Sequence, residues 1–146
     1  MFSNVKYSDQ YRNQLLNVWE QSVLATHMFL KPEDFLAIKE MVKTIDFNAF
    51  DVYCLINNSK LAGFTGIADN KIEMLFLSPE FTGKGGGKRL IEFAIKELNA
   101  DKVDVNEQNT NAVSFYQRFG FETYERTEKD DQGNPYPLLR MKLKQP

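Results

Sequence analysis

A glycine-rich segment restricts the fold more than any other part of the chain. Residues 81–90 read FTGKGGGKRL and contain four of the eight glycines, followed at once by Lys88 and Arg89. A predicted strand at residues 71–77 precedes this segment, and apolar residues at helical spacing predict a helix after it. With a further predicted strand at residues 102–106, these elements make a crossover unit, so the two strands should run parallel.

The rest of the sequence predicts a mixed α/β (α+β) fold. The hydrophobic period switches between two and about 3.6, and no repeat, low-complexity tract or Pro/Gly-rich linker divides the chain. We therefore predict a single domain over residues 1–146, with a mixed, mostly antiparallel sheet of about seven strands and about four helices. The predicted strands are residues 2–7, 50–56, 61–68, 71–77, 102–106, 123–129 and 138–143. The predicted helices are residues 11–26, a second one from Pro32, one after the glycines to residue 99, and residues 109–119.

Charge and composition exclude several classes of protein. The net charge of −2 gives no global basic footprint for nucleic acid. No apolar run approaches the roughly 18 residues that span a bilayer, and the N-terminal residues lack a signal-peptide cleavage site. We expect a cytoplasmic protein with neither a nucleic-acid nor a membrane partner. Cys54 and His27 are the only residues of their types, which excludes a disulfide framework and favours no metal site.

The glycine segment has the chemistry of an anion-binding loop. Glycines between a strand and a helix let backbone N–H groups converge at the helix N-terminus, where phosphate binds well. The P-loop pattern GxxxxGK[ST] fails because Lys88 is followed by Arg89, and the dinucleotide pattern GxGxxG finds no glycine at the position it requires. The loop alone is also compatible with a plain surface turn before a helix.

Two motifs resemble those of the GNAT superfamily of N-acyltransferases. LSPEFTGKGGGKRL at residues 77–90 is similar to the acyl-CoA loop VxPxx[RQ]GxG[IV]GxxL, with Thr82 and Gly86 as departures from the pattern. NEQNTNAVSFYQRFGF at residues 106–121 is similar to the second hallmark, NxxAxxFYxxxGF. The two motifs and the order of the elements cover most of the chain. Short segments near residues 26 and 130 also resemble a group of small bacterial acetyltransferases within this superfamily.

The resemblance implies a fold, a cofactor and a reaction. Two parallel central strands would splay apart at the acyl-CoA site, and acetyl-CoA would be the acyl donor, without a metal. The acetyl group would pass directly to a primary amine of a small molecule or of a protein lysine or N-terminus. The residues implied to bind the cofactor are Leu75, Phe76, Leu77, Thr82, Gly83, Lys84, Gly85, Gly86, Gly87, Lys88, Asn109, Ala112, Phe115 and Tyr116.

The resemblance also assigns the proton donor, whereas the base stays open. Tyr116 would protonate the leaving thiolate. Candidate bases are Glu73, which should share a strand face with Leu75 and Leu77, His27, whose ordinary pKa suits proton transfer near neutrality, and Glu107. Tyr136 and the acidic loop EKDDQG at residues 128–133 could contact the acceptor.

Two other classes of protein remain compatible with the sequence. A catalytically idle acyl-CoA-binding module would bind acetyl-CoA without turnover, and a plain α/β interaction domain would not bind it at all. The acceptor pocket and the oligomeric state, monomer or homodimer, are not specified by any motif.

Overall fold

The computed structural model describes residues 1–144 and contains one seven-stranded sheet flanked by four helices. The elements are β1 (Phe2–Lys6), α1 (Arg12–Thr26), α2 (Pro32–Val42), β2 (Asp51–Asn57), β3 (Lys60–Ala68), β4 (Lys71–Leu77), α3 (Gly86–Leu98), β5 (Lys102–Asn106), α4 (Thr110–Arg118), β6 (Phe121–Thr127) and β7 (Leu138–Leu143). The strand order is β1-β2-β3-β4-β5-β7-β6, and every neighbouring pair is antiparallel except β4 and β5. The predicted fold class is therefore confirmed. None of the helices in residues 1–144 is long and apolar enough to cross a bilayer.

Local sequence explains most of the element boundaries. Pro32 is the first residue of α2, where its missing N–H costs nothing. Asn109 caps α4 by accepting a hydrogen bond from the Ala112 amide at 3.2 Å, and Gly120 ends that region with a φ of +97°. The prediction for β6 is less accurate, because this strand begins directly after Gly120, two residues before the predicted start at 123.

The helices cover opposite faces of the sheet. α1 and α2 pack on one face, where Trp19 stacks on Phe35 with ring centroids 5.9 Å apart. α3 and α4 cover the other face, where Ile91 and Tyr116 belong to one core with the buried residues of β5. A ligand can therefore reach the centre of the sheet only through a strand edge left open between these two layers in residues 1–144.

A β-bulge in β4 opens that edge. β3 pairs Gly66 with Met74 and Ile67 with Ile72, so Glu73 has no partner on β3. On its other side β4 pairs with β5 only from Lys71 to Ile72, and beyond the bulge the two strands diverge. Bulges increase the local twist and occur next to active sites, which accounts for the splayed strands.

The bulge corrects one prediction about side-chain direction. Strict alternation would place Glu73 on the same face as Leu75 and Leu77. Instead, Glu73 lines cavities together with Met74 and Phe76 beneath α1, whereas Leu75 packs into the cores beneath α3. The extra residue of the bulge places two successive side chains, those of Glu73 and Met74, on one side of β4.

Candidate active site

A cavity of about 220 Å³ fills the space between the diverging strands β4 and β5. We call it the strand cavity, and it is bounded by residues 72–76 of β4, residues 103–106 of β5, the start of α4 and His27. Five of the residues that the family resemblance implied for cofactor binding line it: Leu75, Phe76, Asn109, Ala112 and Tyr116. The edge of β4 that faces this cavity has no strand partner after Ile72, so its backbone amides are available to a guest.

The glycine loop lies between β4 and the first turn of α3. Gly83 and Gly85 adopt φ values of +79° and +85°, a left-handed conformation that disfavours any side chain. The Arg89 amide donates to the Gly85 carbonyl at 3.1 Å, so the amides of residues 86–88 precede the first hydrogen bond within the helix. These donors and the helix dipole make an anion site.

Two residues of the predicted loop have their amides occupied within the loop itself. The Thr82 amide donates to the Pro79 carbonyl at 3.1 Å, and the Lys84 amide donates to the Phe81 carbonyl at 3.3 Å. The Lys84 ammonium lies 5.7 Å from the centre of the Phe81 ring. Lys84 can therefore offer its charge to an anion, but its amide is already used.

Gly86 and Gly87 have a packing role. A Cβ on Gly86 would lie 2.6 Å from Cδ1 of Leu77, and a Cβ on Gly87 would lie 3.3 Å from Cε1 of Phe115. The departure of Gly86 from the family pattern thus has a local reason, since the Leu77 side chain fills the space of a branched residue. Leu77 and Phe115 support the loop from below, whereas neither lines the strand cavity.

Tyr116 presents its hydroxyl to the strand cavity. Its ring is 7% exposed and packs edge-on against Phe115 and Phe121 at centroid distances of 5.2 and 5.7 Å. The hydroxyl makes no hydrogen bond to any residue in 1–144. It is nevertheless not fully enclosed, because the enclosed side-chain polar atoms without a partner in these residues are Asn4 Oδ1 and Ser8 Oγ. Burial raises the pKa of Tyr116, so the phenol keeps its proton at neutral pH.

A second cavity, of about 260 Å³, adjoins the first beneath α1 and α2. We call it the helix cavity, and its walls come from α1, α2, β4, the second half of β5, and the loop of residues 128–137. Trp19 and Val23 give it an apolar side. His27 and Glu73 line both cavities, so they lie at the junction. The structure thus brings three predicted catalytic residues, Tyr116, Glu73 and His27, around one continuous space.

An ion network forms the charged side of the helix cavity. Asp104 Oδ2 accepts hydrogen bonds from Lys71 Nζ at 2.5 Å and from Arg140 Nη1 at 2.7 Å, and Arg140 Nη2 also lies 3.1 Å from Asp131. Partial burial lowers the pKa of Lys71, but the hydrogen bond and charge of Asp104 outweigh it and raise the pKa overall. Glu73 forms no ion pair with any residue in 1–144. Its carboxylate is therefore the one at the junction that is free to meet a cation.

His27 is the C-cap residue of α1, and three neighbouring residues contact it. Its backbone amide donates to the Val23 carbonyl at 2.8 Å, its Nδ1 lies 2.8 Å from Thr26 Oγ1, and its ring is 5.4 Å from that of Phe29. Burial lowers the pKa of His27 below its ordinary 6.5, because the charged imidazolium loses hydration. The imidazole is consequently neutral, and able to accept a proton, at neutral pH.

Tyr136 anchors the loop of residues 128–137, which we call the late loop, beside the helix cavity. Its hydroxyl accepts a hydrogen bond from the Lys31 amide at 3.0 Å and donates one to Asp34 Oδ2 at 2.5 Å. This hydrogen bond to Asp34 raises the pKa of Tyr136. Its ring lines the cavity, but its hydroxyl is occupied, so only the ring is available to an acceptor.

Glu107 is not supported as a base. Both of its carboxylate oxygens pair with Arg126, at 2.6 Å to Nε and 3.0 Å to Nη2, and this pairing lowers the pKa of Glu107. It lines neither cavity.

Sequence reasoning missed the network of Asp104 with Lys71 and Arg140. A weak signal was present, since Asp104 is the polar residue between the buried Val103 and Val105 on β5. Its two cationic partners lie 33 and 36 residues away along the chain, and only the sheet register brings them together. Among residues 1–144 no three His, Cys, Asp or Glu side chains are grouped for a metal ion.

Comparison with known proteins agrees with this geometry. The family model described as acetyltransferase (GNAT) domain matches residues 10–144. The peptidyl-lysine N-acetyltransferase YjaB of Salmonella typhimurium is 34% identical over 142 residues, covering 97% of this chain and 98% of the relative. YjaB of Escherichia coli K12 is also 34% identical, over 88% of this chain and 87% of the relative.

Solved structures show the same fold. The solution structure of apo YjaB from Escherichia coli superposes with a TM-score of 0.88 at 31% identity and covers 97% of both chains. The structure of PaiA N-acetyltransferase from Thermoplasma acidophilum, in complex with coenzyme A, gives a TM-score of 0.74 at 22% identity over 99% of both chains. At that identity the second comparison shows the fold alone.

The chain belongs to the GNAT acetyltransferase family. It is an N-acetyltransferase, and GNAT acetyltransferases use acetyl-CoA. The family, the fold and the activity predicted from the two sequence motifs are thus confirmed.

Proposed function

We propose that this enzyme transfers the acetyl group of acetyl-CoA to the side-chain amine of lysine in proteins or peptides. The observation that carries the proposal is the junction at Glu73 and His27, where a strand cavity suited to the donor meets a helix cavity suited to a cationic acceptor. The two YjaB relatives are named peptidyl-lysine N-acetyltransferases, which supports the same class of acceptor here.

The residues around the strand cavity and the glycine loop fit acetyl-CoA. The free amides of residues 86–88, the positive end of α3 and the charge of Lys88 suit the pyrophosphate. Acetyl-CoA supplies an activated acetyl thioester when it is bound. The unpaired edge of β4 beyond Glu73 provides backbone N–H groups that would polarise an acyl carbonyl, as an oxyanion hole does.

The charge around the helix cavity favours a cation. Four carboxylates line it, those of Glu73, Asp104, Asp130 and Asp131, whereas Lys71 and the adjacent Arg140 are the cations of its ion network. Two negative charges therefore remain. A lysine ammonium would enter this field, and the apolar side formed by Trp19 would accommodate the four methylenes of its stem.

Proton transfer needs one acceptor and one donor. A lysine ammonium must lose a proton before its nitrogen can attack, and the His27 imidazole and the Glu73 carboxylate at the junction are the groups able to receive it. Tyr116, neutral and open to the strand cavity, would give a proton to the sulfur that leaves. No group of the protein needs to become acetylated.

We further propose that residues 1–146 act as one N-acetyltransferase domain in the cytoplasm, as a monomer or homodimer. A single continuous sheet carries both cavities, and the family model spans residues 10–144, which supports one domain. Acetyl-CoA and protein substrates are both available in the cytoplasm.

The test is transfer of acetyl from acetyl-CoA to a short peptide that has a blocked N-terminus and one lysine, followed by mass spectrometry. A matched peptide with arginine in place of lysine keeps the charge and removes the reactive amine. We expect acetylation of the lysine peptide alone. Acetylation only of an unblocked N-terminus or of small amines would overturn the lysine assignment. Binding of acetyl-CoA without transfer to any amine would instead identify an idle acyl-CoA-binding module.

A further inference from the structure

We propose that Thr26 holds the neutral His27 side chain in the tautomer with its proton on Nδ1, so that Nε2 offers its lone pair at the junction of the two cavities. Thr26 is then a positioning residue, and His27 is the base that receives the proton of the acceptor amine. The tautomer is argued from this chain's geometry alone, whereas the role of His27 as base rests on the proposed function.

The first step is the direction of the Thr26 hydroxyl. Thr26 Oγ1 lies 2.7 Å from the carbonyl oxygen of Ser22, one helical turn earlier. A carbonyl oxygen can only accept, so this contact uses the single hydroxyl proton of Thr26. Toward any other neighbour, Oγ1 has only lone pairs left to offer.

The second step is the tautomer of His27. Its Nδ1 lies 2.8 Å from the same Oγ1. Since Oγ1 is an acceptor in this contact, Nδ1 must carry the proton and donate it. A neutral imidazole has one N–H, so Nε2 is left with a lone pair. A histidine without such a partner favours the opposite tautomer, with the proton on Nε2, and would offer no lone pair from that nitrogen.

The third step is what Nε2 faces. It makes no hydrogen bond to another residue in 1–144 and is not enclosed, so its lone pair is accessible; His27 lines the strand cavity, the helix cavity and an apolar cavity between α1 and α2. The backbone on both sides of His27 is fixed, because its amide donates to the Val23 carbonyl and its carbonyl accepts from the Leu30 amide at 3.1 Å. The charged and titratable groups lining the two cavities are Glu73, Lys71, Asp104, Tyr116, Asp130, Asp131 and Tyr136.

Burial adds to this arrangement by keeping the imidazole in its neutral form. It lowers the pKa of His27, which keeps the ring neutral at the pH where a base is needed. Glu73, at the same junction, is left to attract the ammonium by charge. Glu73 would thus attract the lysine ammonium, and His27 would remove its proton.

The chain has one histidine, so its imidazole nitrogens give one unambiguous set of ¹⁵N NMR signals. The experiment records them for the free wild-type enzyme above the His27 pKa, and for Thr26→Val and Thr26→Ser. Valine keeps the branched shape and removes the hydroxyl, whereas serine keeps the hydroxyl. We expect Nδ1 to be protonated in the wild type and in Thr26→Ser, and Nε2 to be protonated predominantly in Thr26→Val. A wild-type enzyme with the proton on Nε2 overturns the proposal without any variant.

Kinetics then separate positioning from structure. We expect Thr26→Val to lower kcat/KM for the lysine peptide by about 10- to 100-fold, less than the 10²- to 10⁴-fold typical of a general base itself, with acetyl-CoA binding unchanged. Thr26→Ser should restore the rate. A changed tautomer with a wild-type rate would refute the positioning role. If the wild type acetylates no lysine peptide, the proposed acceptor fails, and the NMR result still decides the tautomer.

Discussion

At the scale of single residues, the proposed chemistry assigns roles to three side chains whose environments differ. Tyr116 is buried and keeps its proton, His27 is half-buried and stays neutral, and Glu73 has no ion-pair partner within residues 1–144. Each environment follows from packing: the phenol lies among aromatic rings, the imidazole ends a helix, and the carboxylate occupies a bulge. The three roles can therefore be tested separately.

Tyr116→Phe tests the proton donor. It removes one hydroxyl and preserves the ring that packs against Phe115 and Phe121. We expect kcat to fall by about 10²- to 10⁴-fold, because the leaving sulfur loses its acid, while acetyl-CoA affinity stays nearly constant. Steady-state kinetics and calorimetry measure the two quantities. Tyr124→Phe, on the exposed face of β6, is the matched control, and equal rates for both variants would remove Tyr116 from the acid role.

The pH dependence of kcat/KM tests the base. A base works only when unprotonated, so activity should fall as the pH drops through the His27 pKa, which burial holds below the ordinary 6.5. His27→Gln should abolish this acidic limb and lower the plateau. The same shift makes stability fall as the pH drops from 6.5 to the lower folded pKa, because the unfolded chain binds the extra proton first. An unchanged acidic limb in His27→Gln would assign it to another group.

Glu73→Gln tests the attraction of the ammonium. The amide has nearly the same shape and no charge, so the free energy lost should be mainly electrostatic. We expect KM for the lysine peptide to rise by about tenfold, or ~1.4 kcal/mol, with a smaller effect on kcat. Raising the salt concentration should weaken the wild type more than the variant. A large fall in kcat with unchanged KM would instead make Glu73 the base.

At the scale of elements, the glycine loop and the bulge in β4 form the proposed donor site. Gly85 and Gly133 offer a matched pair of substitutions, because their φ values are +85° and +83° and a Cβ added to either would meet no atom within 4 Å. Gly85→Ala and Gly133→Ala should each cost about 1–2 kcal/mol of folding free energy through left-handed strain. Only Gly85→Ala should weaken acetyl-CoA binding, by about tenfold or more, since it alters the amides at the start of α3.

Calorimetric titration and thermal unfolding measure the two effects for each glycine variant. Equal loss of acetyl-CoA affinity in both would mean that the loop acts only through overall stability. Wild-type affinity in Gly85→Ala, despite lower stability, would show that the anion binds elsewhere.

The sequence predicted the helices and strands better than it predicted the bulge in β4 and the long-range contacts between elements. Asn109, Pro32 and Gly120 carry local signals for helix ends, and the period of apolar residues identified all seven strands. The bulge at Glu73 was invisible, because KIEMLFL is nearly continuous in apolar residues and has no glycine to mark a break. Local sequence carries no information on partners such as Tyr136 and Asp34, which are 102 residues apart.

At the scale of the whole molecule, two helical layers pack on one sheet, and a gap opens between them where β4 and β5 diverge. The proposed donor side lies toward α3 and α4, the proposed acceptor side lies toward α1, α2 and the loop of residues 128–137, and the junction lies between them. Cys54 has no part in this arrangement: burial raises the pKa of its thiol to about 12, so it is an inert core residue. In this proposed arrangement, the acetyl donor and the amine acceptor would meet at the junction of the two cavities.

Titration of acetyl-CoA into the wild-type enzyme, followed residue by residue through amide NMR signals, tests directly where the acetyl donor binds. We expect saturable shifts at residues 83–88, along residues 73–77 and at the start of α4, with little change at Tyr124 on the far edge of the sheet. Binding with shifts confined to other surfaces, or no binding at all, would contradict the assignment of the strand cavity and glycine loop to the acetyl donor.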